Sequence, residues 1–441
     1  MSRRSMLVVG GGWAGIAAAV KATSSGWHVT MVEERPYLGG RARSFADKVT
    51  GDVIDNGQHV LMGCYSAMMS TLRAMGTDSL LHKQKALRVA FVDTSGRDVL
   101  DASQLPGKAG VALGLLRLST LSRADLWPIL RLAMAMQWGR ATGHGLTCLE
   151  LLQRYGQTER AIRRFWEPVV LATVNAPINM ADASLLVTVM NRAFFGSGRD
   201  DSRIYIPADG LSALVEPFPS LLASHGGTVL CSTSVEHLSS DGTSVRATFS
   251  NGQDAVFDTA IVACQPPAVE RLFPGLLPEL VRTMEFSPIV SVYLWYDGAW
   301  CDVDFAATLG TTTQWVFNRR ALGRTDPAIE KRFPGHVALT ISAGSALVTR
   351  SQDDIVAACD AELRQLFPAM EGVRCLHGVV IKEKRATFLA TPQVHPLRAL
   401  VRGPFPNVEI VGDWTNTGLP ATLEGAAYSG LKAVERLDRR E

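Results

Sequence analysis

The chain begins with a short apolar run, Met6-Leu7-Val8-Val9, stopped at once by Gly10-Gly11-Gly12. An apolar run of that length ending in glycines predicts a buried parallel strand. The alanine-rich stretch 14–22 predicts a helix closed by Gly26, and 28–32 predicts a second strand ending at Glu33. Beyond it, the pattern gives a strand from Asp52 broken at Gly57, a helix over 66–76, and strands within 86–100 around Thr94-Ser95-Gly96. From Leu105 to about Gly156 the chain turns strongly apolar and helical, with helices over 113–121 and 126–138. Pro128 is expected in the first turn of the second helix. Helical patterning continues over 150–168 and 183–195, and the turn Tyr205-Ile206-Pro207-Ala208-Asp209-Gly210 opens another helix over 211–224. Segments 227–230, 235–238, 244–250 and 255–262 read as a meander, with Asn251-Gly252 as a hairpin turn. After Pro266-Pro267 come strands at 288–296, 336–342 and 376–382 and a helix at 353–366. The chain closes with a strand over 408–411, then Gly412-Asp413, then a helix over 421–437.

Strand, glycine turn, helix and strand at the start, with a strand and helix of the same kind at the end, predict an α/β protein. Its Rossmann-like nucleotide domain is discontinuous, made of 1–85, 203–270 and 403–441. Segments 86–202 and 271–402 then form an α+β substrate domain in two pieces. No internal repeat or low-complexity tract is evident in the sequence.

Composition narrows the class. The 441 residues are 47% hydrophobic and 20% charged, which excludes disorder and supplies a large core. Lys+Arg 44 against Asp+Glu 42 leaves +2, too balanced for a protein that lives on nucleic acid phosphates. The cysteines number 7 and are scattered, with no CxxC pair and no Cys/His cluster at metal-ligand spacing; they read as buried thiols in a reducing compartment, with no metal. Ser2-Arg3-Arg4-Ser5 resembles a twin-arginine signal, but the apolar run behind it ends at Val9, so a basic tail before the first strand and a cytoplasmic location are expected.

The glycines carry the chemistry. Gly10, Gly12 and Gly15 fit G-x-G-x-x-G between a strand and a helix. In that setting the first glycine makes the tight turn, the second lets a diphosphate approach the backbone, and the third lets helix and strand pack closely. The helix start then offers N–H groups and a positive dipole end to the anion. Glu33, about 20 residues on, is placed to accept from the adenosine ribose hydroxyls. Gly39-Gly40-Arg41 follows, where a nicotinamide fold has no need of it. Two glycines let the backbone run beside a bulky ligand, and Arg41 brings a guanidinium suited to a diphosphate.

Fingerprint, acid and GGR together resemble the flavoprotein superfamily of amine oxidases and carotenoid desaturases. The resemblance implies a GR2-type, amine-oxidase-like FAD domain, with the backbone of Val235 touching adenine. Near the other terminus, Gly412-Asp413 and Pro420-Ala421-Thr422-Leu423-Glu424 make sense for the same cofactor. Asp413 can accept from a ribityl hydroxyl, and the N–H groups around Thr422 and Leu423 can stabilise charge on the reduced ring.

Two longer strings are narrower. Asp55-Asn56-Gly57-Gln58-His59 and Gly412-Asp413-Trp414-Thr415-Asn416-Thr417-Gly418-Leu419-Pro420-Ala421-Thr422 resemble the hydroxysqualene dehydroxylase family, the squalene-associated FAD-dependent desaturases of hopanoid pathways. The resemblance runs the length of the chain and includes Trp166-Glu167-Pro168. It implies a long apolar isoprenoid substrate whose allylic hydroxyl is replaced by hydrogen. Hydroxide leaves only if an acid protonates it, an effect worth about 10²–10⁴-fold. The allylic cation then takes a hydride from reduced FAD, in a pocket that excludes water. The DNGQH segment supplies the candidates for the catalytic group, Asp55, Gln58 and His59, of which His59 alone has an ordinary pKa near neutral. Gln58 and Trp414 are candidate pocket walls.

No second strand–GxGxxG–helix unit is present, so the electron donor is left open. An oxidative desaturase or amine oxidase acting on an apolar substrate is the main alternative on this frame, and a lipid escort that keeps FAD as a structural ligand is another. The apolar stretch 105–138 has two readings, core helices or the wall of a lipid-accepting cavity resting on a bilayer.

Overall fold

The computed structural model describes residues 4–399 and 401–439. Of the basic tail expected before the first strand, residues 2 and 3 lie outside the described residues; Arg4 stacks its guanidinium 4.1 Å over the Trp27 ring.

A five-stranded parallel sheet gathers distant parts of the chain in the order Thr228–Leu230, His28–Val32, Ser5–Val9, Thr259–Val262, Val408–Ile410. Both faces are covered, as a parallel sheet requires. Met6 and Val8 join Met31, Ile261 and Val411 against the helices Trp13–Ser24 and Leu423–Asp438. Leu7 and Val9 join Val32, Ala260 and Val262 in a second cluster on the opposite face, which extends into the rest of the molecule. The sequence reading of one meander over 227–262 is corrected here at its two ends, while the resemblance of Ala260-Ile261-Val262-Ala263 to a strand that re-enters the nucleotide domain agrees with its place in the parallel sheet. Only Val235–Ser240, Val245–Phe249 and Asp254–Phe257 form the meander, while the fully buried Thr259–Val262 and the half-buried Thr228–Leu230 belong to the parallel sheet. A strand buried on both faces does not alternate, so its pattern blends into that of its neighbour in sequence.

The second large sheet has seven strands, in the order Cys375–Phe388, Phe286–Tyr296, Gly335–Ser342, Trp315–Asn318, Phe305–Thr308, Arg88–Asp93, Gly96–Asp101. Along Phe286–Tyr296 the side chains alternate: Val290, Val292, Leu294 and Tyr296 pack under the helix Gln352–Leu366, while Tyr293 and Trp295 face the main core. Residues 305–308 and 315–318 were not read as strands, being only four residues each.

Helices close the open face of this sheet. The expected helix over 113–121 is Gly107–Leu116, and Leu118 and Leu121, though buried, sit in tight turns whose amides bond Leu115 O and Leu118 O. The next helix is Arg123–Gln137, begun ahead of its apolar run because the Asp125 carboxylate accepts from the Ser122 N–H and hydroxyl at 2.7 and 2.6 Å. Pro128 therefore lies inside the helix rather than in its first turn, at the cost of one backbone hydrogen bond. The helix predicted over 211–224 is two pieces, a single turn at Ser212–Leu214 and Phe218–Ser224, separated at Pro217.

Candidate active site

A cavity of about 1240 Å³ runs between the two sheets and under the helices. One part is walled by backbone from the glycine-rich segments, the other by apolar side chains.

At the backbone end, Gly10 leaves the first strand with φ +106°, a conformation that favours glycine. A Cβ on Gly15 would stand 2.0 Å from Gly10 O, so strand and helix meet at a distance only glycine permits. A Cβ on Gly12 would meet nothing within 4 Å, so its open side faces the cavity. Gly12 also N-caps the helix Trp13–Ser24 without any side-chain cap, and the buried Trp13 Nε1 has no hydrogen-bond partner among the described residues. An open concavity at an uncapped helix start, with a spare donor beside it, fits a dinucleotide diphosphate. Glu33 is buried, with Oε2 accepting from the Gly11 N–H at 2.7 Å and Oε1 from the Arg35 N–H at 2.9 Å. Each oxygen keeps a second lone pair for a ribose hydroxyl. Val235, buried at the start of its strand, lines the same end, as do Gly39 and Gly40.

The two termini meet in the middle. Arg41 Nη2 donates to both carboxylate oxygens of Asp413 at 2.8 Å, and its Nη1 donates to Ala386 O at 2.6 Å. Thr422 N-caps the helix Leu423–Asp438, its hydroxyl accepting from the Gly425 N–H at 3.1 Å. Gly412, Asp413, Thr422 and Leu423 all line the cavity. This arrangement brings a guanidinium, a carboxylate and a helix N-terminus to one place, the set that a flavin and its diphosphate need.

The DNGQH segment divides. Asp55 does not line the cavity: its Oδ1 accepts from the Ser44 hydroxyl at 2.6 Å and the Leu211 N–H at 2.9 Å, which ties three chain segments together. Gln58 lines the cavity and braces the loop, its Oε1 accepting from Arg319 Nη1 at 3.1 Å. His59 lines it too. Its Nδ1 lies 2.7 Å from Gly57 O, which makes Nδ1 the donor and leaves Nε2 without a partner among the described residues. Burial holds the His59 pKa below its ordinary 6.5, against the pull of Gly57 O and Asp55.

Two residues were not found from the sequence. Arg398, 1% exposed, donates to Trp414 O, Thr415 O and Leu419 O at 2.8, 2.7 and 3.2 Å, clamping the loop between Asp413 and Thr422. Burial lowers its pKa to about 10. Tyr65 lines the cavity beside Thr422, and burial pushes its phenol up, so it stays protonated. Neither sits in a motif, and a lone Arg or Tyr in sequence gives no signal.

The apolar end is walled by Leu115, Ile129, Ala133, Phe165, Trp166 and Val169 from the helices and by Val89, Phe91, Trp315 and Phe317 from the seven-stranded sheet. Trp166 is fully buried and donates from Nε1 to Gln157 Oε1 at 2.8 Å. Trp414 is also buried, with Nε1 bonded to Cys264 O at 2.9 Å. Among the described residues, no group of three or more His, Cys, Asp or Glu is placed to hold a metal, and no helix is long and apolar enough to cross a membrane.

The family model described as flavin containing amine oxidoreductase matches residues 13–438. The chain belongs to that family. It is 30% identical to a hydroxysqualene dehydroxylase of Rhodopseudomonas palustris, over 98% of each chain, and 28% identical to one of Sinorhizobium fredii, again over 98% of each. A 15-cis-phytoene desaturase of Narcissus pseudonarcissus is 24% identical over 98% of this chain and 79% of its own. Among solved structures, putrescine oxidase superposes with a TM-score of 0.73 at 14% identity over 99% of both chains, which shows the fold. The protein is an FAD-dependent oxidoreductase with a Rossmann-like FAD domain and a substrate domain, and the suspected relationship to hydroxysqualene dehydroxylases holds over nearly its full length.

Proposed function

We propose that the protein reduces hydroxysqualene to squalene, removing an allylic hydroxyl from a long isoprenoid chain, with 1–85, 203–270 and 403–441 holding the cofactor and 86–202 and 271–402 the substrate. The observation that carries this reading is one continuous cavity with backbone and charge suited to FAD at one end and a wall of apolar side chains at the other. The curated relatives named above support it. Bound and reduced, FAD supplies the hydride.

The residues divide the remaining work. Gly12 and the helix behind it, with Arg41, hold the diphosphate, while Glu33 and Asp413 hold ribose and ribityl hydroxyls. Gly10, Gly15, Gly39 and Gly40 shape the backbone, Val235 would meet the adenine, and Gly412, Thr422 and Leu423 would close round the flavin ring. His59 presents Nε2 to the substrate hydroxyl; once protonated there, it donates as the C–O bond opens. Gln58, pinned by Arg319, fixes the loop that carries His59, and Asp55 anchors that loop from below. The aromatic and aliphatic wall excludes water from the cation.

The test is anaerobic. Purified holoprotein with reduced FAD is mixed with hydroxysqualene and the product identified by mass. Squalene is expected, with the flavin re-oxidised. Absence of squalene, together with bleaching of oxidised flavin by an amine or a polyene, would give the oxidase or desaturase reading instead.

A further inference from the structure

We propose that the helices Gly107–Leu116 and Arg123–Gln137 form a docking face for an anionic lipid bilayer, with the apolar end of the cavity opening onto it. The entry of substrate by this route rests on the function proposed above; the docking itself does not.

The first observation is where the tryptophans lie. The chain has 9, and Trp127 and Trp138 are 65% and 63% exposed while the others are buried or half-buried. Trp127 lies on the helix Arg123–Gln137 and Trp138 is the residue that caps its end, eleven positions on, about 16 Å along the axis and within about 20° of the same face. Leu105 and Leu116, 46% and 51% exposed, extend the apolar surface on the neighbouring segment. Exposed aromatic rings beside aliphatic side chains are suited to the boundary between headgroups and acyl chains.

Charge identifies the partner. Between 105 and 140 the basic residues Lys108, Arg117, Arg123, Arg131 and Arg140 are all exposed, and the acid there, Asp125, is buried. The Arg140 guanidinium stands 5.5 Å over the Trp138 ring, so charge and aromatic surface occupy the same place. Asp101 stands near Arg117 and Arg131 is bonded to Tyr155 O, but the excess of exposed cations over exposed acids within 105–140 suits anionic headgroups.

The cavity reaches the surface at the same place. Lys108 is exposed and also lines the cavity, with Val111 and Leu115 beneath it on the same helix face. Leu130, one helical turn on from Trp127, lines it from the second helix. An apolar substrate dissolved in a bilayer would pass from lipid to the cavity wall without crossing water.

The test is vesicle flotation of the FAD-loaded full chain. Vesicles of phosphatidylcholine with phosphatidylglycerol should bind the protein at least about tenfold more tightly than phosphatidylcholine alone, and high salt should weaken the binding. The double variant Trp127→Ser/Trp138→Ser should lose at least about tenfold in binding while keeping its flavin spectrum and its turnover of detergent-dispersed substrate. Failure of the parent protein to float with anionic vesicles, or equal flotation of the variant, would overturn the proposal. So would a concentration-dependent dimer that the two substitutions dissociate without any vesicle binding, since the face would then join two copies of the chain. Flotation as expected, with no squalene formed in detergent, would uphold docking and remove only the proposed reaction.

Discussion

The two ends of the cavity are built by opposite means. The nucleotide end is a surface of main chain: Gly15 lets strand and helix touch, Gly12 leaves its side open, and Glu33 is itself held by two backbone N–H groups. The substrate end is a surface of side chains, Leu115, Ile129, Ala133 and Phe165 among them, with Phe165 carried on a π-helical turn at Ile162–Trp166. A main-chain site tolerates almost no change of residue at its few fixed positions. A side-chain site accepts many apolar residues of similar volume and yields gradually.

The sharpest way to break the contrast is Gly15→Val. Its branched side chain would fall on Gly10 O, costing more than about 4 kcal/mol, so the protein should be recovered colourless or unfolded; a yellow, stable variant would show that the close approach is not needed. Next is the junction. His59→Gln should retain FAD and lose about 10²–10⁴-fold in turnover. Because burial lowers the His59 pKa, the ring is mostly neutral at pH 7, and the form able to donate from Nε2 grows as pH falls through a value below 6.5. In the parent, kcat/KM should therefore rise on mild acidification, and in the variant it should not.

At the substrate end, Ala133→Phe adds a ring to the wall and should lower kcat/KM by roughly ten- to a hundredfold for the long substrate, with FAD absorbance untouched. The smallest effect is expected from Glu33→Gln. Its amide keeps one acceptor oxygen and turns an NH2 donor toward the second of the two N–H groups of Gly11 and Arg35, so FAD should bind roughly tenfold more weakly, about 1.4 kcal/mol, read by titrating the cofactor back into apoprotein. A larger loss there than at Gly15 would mean that side chains, not main chain, define the nucleotide end.

The same contrast explains what could be read from the sequence. Gly10, Gly12, Gly15 and Glu33 declare themselves by spacing, because backbone geometry admits only glycine at Gly10 and Gly15, and Gly12 leaves open the side that a diphosphate would approach. Gly412-Asp413 and Thr422 were legible for another reason, as a carboxylate at a strand end followed by a helix start, placed beside the flavoprotein resemblance. The pairing of Arg41 with Asp413 was not, since nothing local announces a partner 372 positions away. Arg398 was also silent; its value lies in three carbonyls of a loop that only the fold brings to it. Apolar spacing predicted helices near 105–138 but misplaced their ends, because the Ser122–Asp125 cap, not the apolar run, decides where the second one starts. Whether those helices wall a cavity depends on tertiary placement, which a hydrophobic pattern does not contain.

The account stands on the two ends acting as one site. Its most direct test is a single anaerobic turnover, in which reduced holoprotein is mixed rapidly with hydroxysqualene and the return of oxidised-flavin absorbance is followed to completion. Each flavin oxidised should match one squalene formed, with both signals lost together in Ala133→Phe at limiting substrate. Flavin that stays reduced in the presence of excess hydroxysqualene would contradict it.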